Sequence, residues 1–188
     1  MENKGINIFL GPPFSGKETQ TKPLSYEMGI PVFSMGQLIR QARQTDPDIE
    51  NAFQRYTKKG LHVPIQIKFG LLKAEMDKNP SGFILDNFPA TPEDLEVFND
   101  YMNESGLEVN KVFYLNIGHE EMFRRFNENS DRGRDDDTVE ALETRSNVQS
   151  DDRATVLEYY KSLGKLVEIN GEQPVEVVTG DIRRKISI

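Results

Sequence analysis

The chain has 188 residues, enough for one well-packed domain with small insertions. It carries 23 basic against 31 acidic residues, a net charge of −8, which argues against general nucleic-acid or anionic-membrane binding. The absence of cysteine excludes disulfides and thiolate zinc sites and agrees with a cytoplasmic setting. The first residues, Met1-Glu2-Asn3-Lys4, run at once into an apolar stretch, so no signal peptide is expected. No apolar run is long enough to span a membrane.

Short apolar runs alternate with helical patterns. In chain order the expected strands are Ile6–Leu10, Pro31–Ser34, Gly82–Asp86, Lys111–Ile117 and Lys165–Asn170. Several are almost wholly apolar, as parallel strands covered on both faces should be. The expected helices are Lys17–Met28, Met35–Thr45, Asp48–Lys59, Pro64–Lys78, Pro92–Ser105, His119–Glu128, Thr138–Gln149, Ala154–Leu163 and Pro174–Ile186. This alternation predicts a doubly wound α/β fold with its ligand at the carboxyl ends of the strands. Three helical stretches between residues 35 and 78 exceed the need of one crossover, so part of them should project as a subdomain. The run 127–137 is too charged for a core. It is either a solvated connection or a mobile flap that brings arginines over a ligand.

The first strand leads into Gly11-Pro12-Pro13-Phe14-Ser15-Gly16-Lys17-Glu18-Thr19, and a helix follows. Strand, glycine-bearing loop, lysine and helix start form the arrangement that cradles phosphates. Backbone N–H groups converge there, the helix dipole favours negative charge, and Lys17 adds a full positive charge. The generic pattern has Ser or Thr directly after the lysine, whereas here Glu18 intervenes before Thr19. Asp86 closes the apolar run Gly82-Phe83-Ile84-Leu85. A carboxylate at a buried strand end beside a phosphate loop orients Mg²⁺, directly or through water; alone, it would read as a turn cap.

Six segments together resemble the adenylate kinases of the nucleoside monophosphate kinase family: residues 11–20, Phe-Ser-Met-Gly-Gln-Leu-Ile-Arg (33–40), Val63-Pro64, Gly-Phe-Ile-Leu-Asp-Asn-Phe-Pro (82–89), Gly-Arg-Asp-Asp-Asp (133–137) with Arg145 eleven residues after Arg134, and Tyr159-Tyr160 followed by Gly164-Lys165-Leu166. The resemblance covers nearly the whole chain. It implies a phosphate-loop NTPase fold in a single domain: a five-stranded parallel sheet, a helical insertion for the nucleoside monophosphate at about 35–64, and a short lid at about 125–136. It implies reversible phosphoryl transfer from MgATP to a nucleoside monophosphate, AMP first, by a cytoplasmic monomer without zinc. Pro13, Phe14, Ser15, Gly16, Lys17, Glu18 and Thr19 would hold the ATP phosphates. Lys17, Arg124, Arg134 and Arg145 would neutralise the transferring group, and arginine suits this because its fork binds oxygens in pairs. Thr19 and Asp86 would hold Mg²⁺, mainly through water. Met35, Arg40, Val63, Asn87, Ala90 and Asp94 would surround the acceptor. Asp136 and Asp137 match a lid-hinge acidic pair.

The chain departs from that family's pattern at chosen places. Phe14 and Glu18 replace loop glycines. Phe14 is a steric concern where φ is positive or a ligand approaches closely. Glu18 should weaken nucleotide affinity unless it turns outward or joins the metal. On the acceptor side Met35 replaces a Thr, Gln37 an Asp, Asn87 a Gly, and Ala90 the arginine that grips the acceptor phosphate. An adenine-reading Gln is missing near Asp94, and Glu128 stands where a second lid arginine belongs, Arg132 being a possible substitute. Losing one bidentate charged contact costs about 2–5 kcal/mol. Three readings follow: AMP held by other cations such as Arg43, Lys58 or Lys59; a different small acceptor; or an ATP-binding protein with little transfer. His62 and His119 read as surface or helix-start residues, the phenylalanines 33, 53, 83, 88 and 113 as core, and Arg183-Arg184-Lys185 as a cationic helix end.

Overall fold

The computed structural model describes residues 5–129 and 138–186. Its centre is a five-stranded parallel sheet: β1 (Gly5–Leu10), β2 (Val32–Ser34), β3 (Gly82–Asp86), β4 (Val109–Asn116) and β5 (Leu166–Asn170), in the spatial order β2-β3-β1-β4-β5. The period-two alternation of strands decides which residues face which layer. Ile6, Ile8 and Leu10 of β1 and Phe83 and Leu85 of β3 enter one core with Phe33, Phe53, Leu72, Phe88, Phe98 and Tyr160. Phe9 and Ile84 point the other way and join Leu24, Phe113, Ile169, Val178 and Ile182. The five expected core phenylalanines are all buried.

The helices are α1 (Lys17–Met28), α2 (Met35–Ala42), α3 (Pro47–Arg55), α4 (Ile65–Met76), α5 (Pro92–Ser105), α6 (His119–Glu128), α7 (Val139–Ser162) and α8 (Val175–Ile186). Their starts are written in the sequence. Asp46 accepts from the N–H groups of Asp48 and Ile49 at the head of α3, and Thr91 accepts from Asp94 N–H at 3.1 Å at the head of α5. Each is followed by a proline at the first helical position, where a missing N–H costs nothing.

Two expected elements change. The helix expected over Asp48–Lys59 stops at Arg55; Tyr56 caps it with a widened φ (φ −117, ψ −64), and Thr57–Lys59 form a 3-10 turn closed by left-handed Gly60. The two helices expected over Thr138–Gln149 and Ala154–Leu163 are the single 24-residue α7. Ser150-Asp151-Asp152 resembles a break on propensity alone. No proline or glycine stands there, and Arg153, Val156 and Tyr160 anchor the following turns by burial. Tertiary packing thus carries the helix through a weak local signal.

Among the described residues no helix is long and apolar enough to cross a membrane.

Candidate active site

The loop between β1 and α1 is built on main-chain geometry. Gly11 has φ +155, and a Cβ there would meet Leu115 O at 2.5 Å and Ser15 Oγ at 2.7 Å, so only glycine fits. Gly16 has φ +90 at the start of α1. Phe14 adopts φ 61, a conformation that costs a bulky residue about 1–2 kcal/mol. The strain is offset by packing. Its ring meets Phe126 edge-on with centroids 5.4 Å apart and lies against the cluster of Ile117, Met122, Phe126 and Leu142. Phe14 therefore keeps the glycine-like backbone and places its ring on α6. Glu18 is exposed and pairs with Lys22 one turn further along α1 at 2.7 Å. This pairing offsets its charge locally.

Lys17 folds back over this loop. Its Nζ donates to the carbonyl oxygens of Gly11 at 2.9 Å and Pro12 at 3.0 Å and to Ser15 Oγ at 3.4 Å. Burial brings its pKa down to about 8; Asp86 opposes the shift and the Arg153 guanidinium adds to it. Asp86, at the end of β3, thus faces the lysine electrostatically. The next residue, Asn87, has φ 62 and donates its N–H to Phe9 O at 2.9 Å. Asparagine tolerates the left-handed region better than other side-chain-bearing residues, which explains why it can replace glycine here.

A cavity of about 750 Å³ runs from this loop to the acceptor half. Pro13, Phe14, Ser15, Gly16, Lys17, Glu18 and Thr19 line one part of it, and Met35, Arg40, Val63, Asp86, Asn87, Ala90, Asp94, Arg124 and Arg145 the rest. Every sequence-predicted site residue within the described chain thus meets in one space. Arg134, Arg132, Asp136 and Asp137 lie outside the described residues.

The arginines divide. Arg124 lies on the exposed side of α6 in a fan of carboxylates, bonded to Glu121 at 2.6 and 2.7 Å and to Glu128 at 2.5 Å. These bonds hold the Glu121 carboxyl down at about 2 and raise Arg124 above its ordinary value. Arg125, which the sequence reading passed over, reaches the phosphate loop. It donates to Phe14 O at 3.2 Å and Gly171 O at 2.7 Å while also bonded to Glu121 at 2.6 Å. A signal existed: Arg125 stands three residues after buried Met122 and shares its face, whereas Arg124 stands two after it. Arg145 on α7 donates to Thr57 O at 3.1 Å. There α7 abuts the turn so closely that a Cβ on Gly60 would lie 2.4 Å from Ala141 O.

The acceptor half also differs from expectation. Arg43 lies over the Phe53 ring at 3.8 Å and pairs with Glu50 at 3.0 Å, and Lys58 and Lys59 are exposed; none of the three lines the cavity. The basic side chain in the acceptor wall that the sequence reading missed is Lys68 of α4, which is buried and paired with Asp94. Asp94 takes the Ala90 N–H on its other oxygen at 3.0 Å. His62 is half-buried in the cavity wall rather than on the surface, its Nε2 3.4 Å from Asp152 Oδ2. Burial and Lys68 hold its pKa below the ordinary value. His119 opens α6, as expected, with its ring on Phe123.

A magnesium ion suits this donor set. It prefers hard oxygens, keeps several waters and takes few protein ligands when phosphates are present. Asp86 and the Thr19 hydroxyl supply such oxygens. Among the described residues no group of three or more His, Cys, Asp or Glu could cage a metal ion, so a metal here would share its shell with phosphates and water.

Comparison with known proteins places the same residues in context. The family model for adenylate kinase matches residues 9–165. The chain is 32% identical over 185 residues to adenylate kinase 1 of Synechocystis sp., covering 97% of both proteins. It is 30% identical over 180 residues to the adenylate kinase of Prochlorococcus marinus subsp. pastoris, covering 96% of both. It is 30% identical over 166 residues to the adenylate kinase of Mycobacterium leprae, covering 87% of this chain and 90% of that protein.

Proposed function

Because the chain belongs to the adenylate kinase family of phosphotransferases, we propose that it transfers a phosphoryl group reversibly between MgATP and a nucleoside monophosphate, with AMP as the acceptor. The observation that carries this reading is the continuity of one cavity from Lys17 in the phosphate loop to Asp94 in the acceptor wall. Two nucleotides facing each other across Lys17 and Asp86 are what in-line transfer needs.

Such transfer demands alignment and charge neutralisation more than a strong base. The loop N–H groups of residues 13–19 hold the donor phosphates. Lys17, which bonds to loop carbonyls in this structure, moves its ammonium onto the transferring oxygens. Arg125 and Arg145 flank the phosphate loop and the 3-10 turn, ready to exchange their carbonyl partners for phosphate. Arg134 belongs to the same set by position. Thr19 and Asp86 would hold Mg²⁺, whose charge offsets that of the bound phosphates. Residues 35–64 act as the acceptor-binding insertion and 125–136 as the lid that excludes water. A monomeric, cytoplasmic enzyme is part of this reading.

A product assay tests it: MgATP against AMP, GMP, UMP, CMP and dTMP, with Lys17→Ala as the blank. Diphosphate formation from AMP, reduced about 1000-fold in the folded Lys17→Ala variant, is expected. No product from any monophosphate, in a protein that ATP still stabilises against heat, overturns it in favour of an ATP-binding protein.

A further inference from the structure

The Lys68–Asp94 pair is the feature of the acceptor wall that the transfer mechanism leaves unused. Lys68 comes from α4 and Asp94 from the first turn of α5, and both are buried. Stability does not explain them, because a buried ion pair is often no better than an apolar pair of similar volume. Its position is specific: Lys68 and Asp94 line the cavity together with Met35, Val63 and Ala90.

The bonding within the pair limits what it can recognise. One Asp94 oxygen accepts from Lys68, and the other accepts from the Ala90 N–H at 3.0 Å. Asp94 is fully buried, and each of its oxygens holds one of these donors. Lys68 has three N–H donors, no acceptor, and spends one on Asp94. Two donors thus remain for the cavity. With its charge balanced at contact distance, the pair exerts little net pull on a phosphate dianion. It suits a neutral ring edge bearing a hydrogen-bond acceptor atom. A ring nitrogen or an exocyclic carbonyl finds a donor in Lys68.

We propose that Lys68, held by Asp94 as its positioning residue, reads the base of the acceptor nucleotide as a hydrogen-bond donor, and that the pocket therefore takes a 6-oxopurine monophosphate as readily as AMP. This rests on the nucleoside-monophosphate reading above and adds a specificity determinant to it. AMP offers a ring nitrogen to Lys68; a 6-oxopurine offers its carbonyl.

The test is calorimetric titration of the full chain with AMP and with IMP, which differ on the ring edge at the 6-position. The wild type should bind IMP within tenfold of AMP or more tightly. Lys68→Met/Asp94→Asn removes both charges and retains an acceptor for the Ala90 N–H. It should weaken IMP at least tenfold, the loss of a hydrogen bond to a charged group being about 10- to 100-fold. Should that variant fail to fold, Lys68→Gln presents an amide carbonyl to the 6-amino group and should shift the AMP-to-IMP ratio at least threefold towards AMP. The proposal is overturned by a wild type that binds neither ligand or prefers AMP more than tenfold. A folded double variant less than tenfold weaker for IMP, or a smaller shift in Lys68→Gln, also overturns it. Since binding is read, a protein without transfer activity fails the product assay and still decides this question.

Discussion

The phosphate loop and the acceptor wall have both lost residues their family usually carries, with opposite consequences. In the loop the main chain does the binding, so a changed side chain need only turn away. Phe14 keeps a glycine-like φ of 61 and buries its ring against Phe126, and Glu18 turns to Lys22. In the acceptor wall as proposed, recognition falls to side chains, so Met35, Ala90 and Asp94, together with Lys68, would remake the pocket. Where recognition runs through N–H groups, sequence drifts at small cost; where it runs through side chains, drift alters specificity.

The contrast breaks first at α6. Arg125→Ala removes the donor to Phe14 O and Gly171 O and should lower kcat/KM for ATP about 10- to 100-fold, the worth of charge-assisted bonds. Arg124→Ala, in which an exposed guanidinium paired with Glu121 and Glu128 is lost, should change it less than about threefold. Equal losses in steady-state assays would mean that the two arginines share the work.

Phe14 offers the next test, read by thermal melts. Phe14→Ala keeps the strained φ and loses the ring packing, and should destabilise by about 2 kcal/mol. Phe14→Gly loses the same packing but regains about 1 kcal/mol of strain, so it should melt above the alanine variant. The reverse order would show that the loop does not hold a left-handed backbone at this position.

The charge of Lys17 sharpens the comparison through pH. Its pKa in the free protein is about 8, and phosphate raises it by favouring the charged form. Below pH 8 the ammonium is already present, so ATP affinity is flat. Above pH 8 binding must draw in a proton, and affinity should fall by up to about tenfold per unit. Titrations at pH 7 and 9 in buffers of different ionisation enthalpy should show proton uptake only at the higher value. The smallest effect belongs to Glu18→Gly, which should leave ATP affinity within about twofold at any salt concentration because the carboxylate faces Lys22. A larger gain would place its charge on the bound phosphates.

Much of the architecture was legible because it rests on local patterns. Apolar runs of strand length, the Asp46 and Thr91 caps with their following prolines, and the glycines of residues 11–16 each act over a few residues. The continuity of α7 was not legible, since burial of Arg153, Val156 and Tyr160 outweighs the weak Ser-Asp-Asp propensity. Choosing between Arg124 and Arg125 needed the helix face, which a motif spacing does not carry.

What the sequence determined by itself is the parallel α/β frame and the phosphate loop, because hydrophobic periodicity and backbone-dictated glycines are properties of contiguous residues. Tertiary structure alone decided that Lys68 meets Asp94 across 26 residues of chain, that Arg125 reaches Gly171, and that Phe14 rests on Phe126. These contacts join segments remote in sequence. Their partners are selected by which faces of the sheet and helices come to the same cavity, and that choice exists only after the layers have packed.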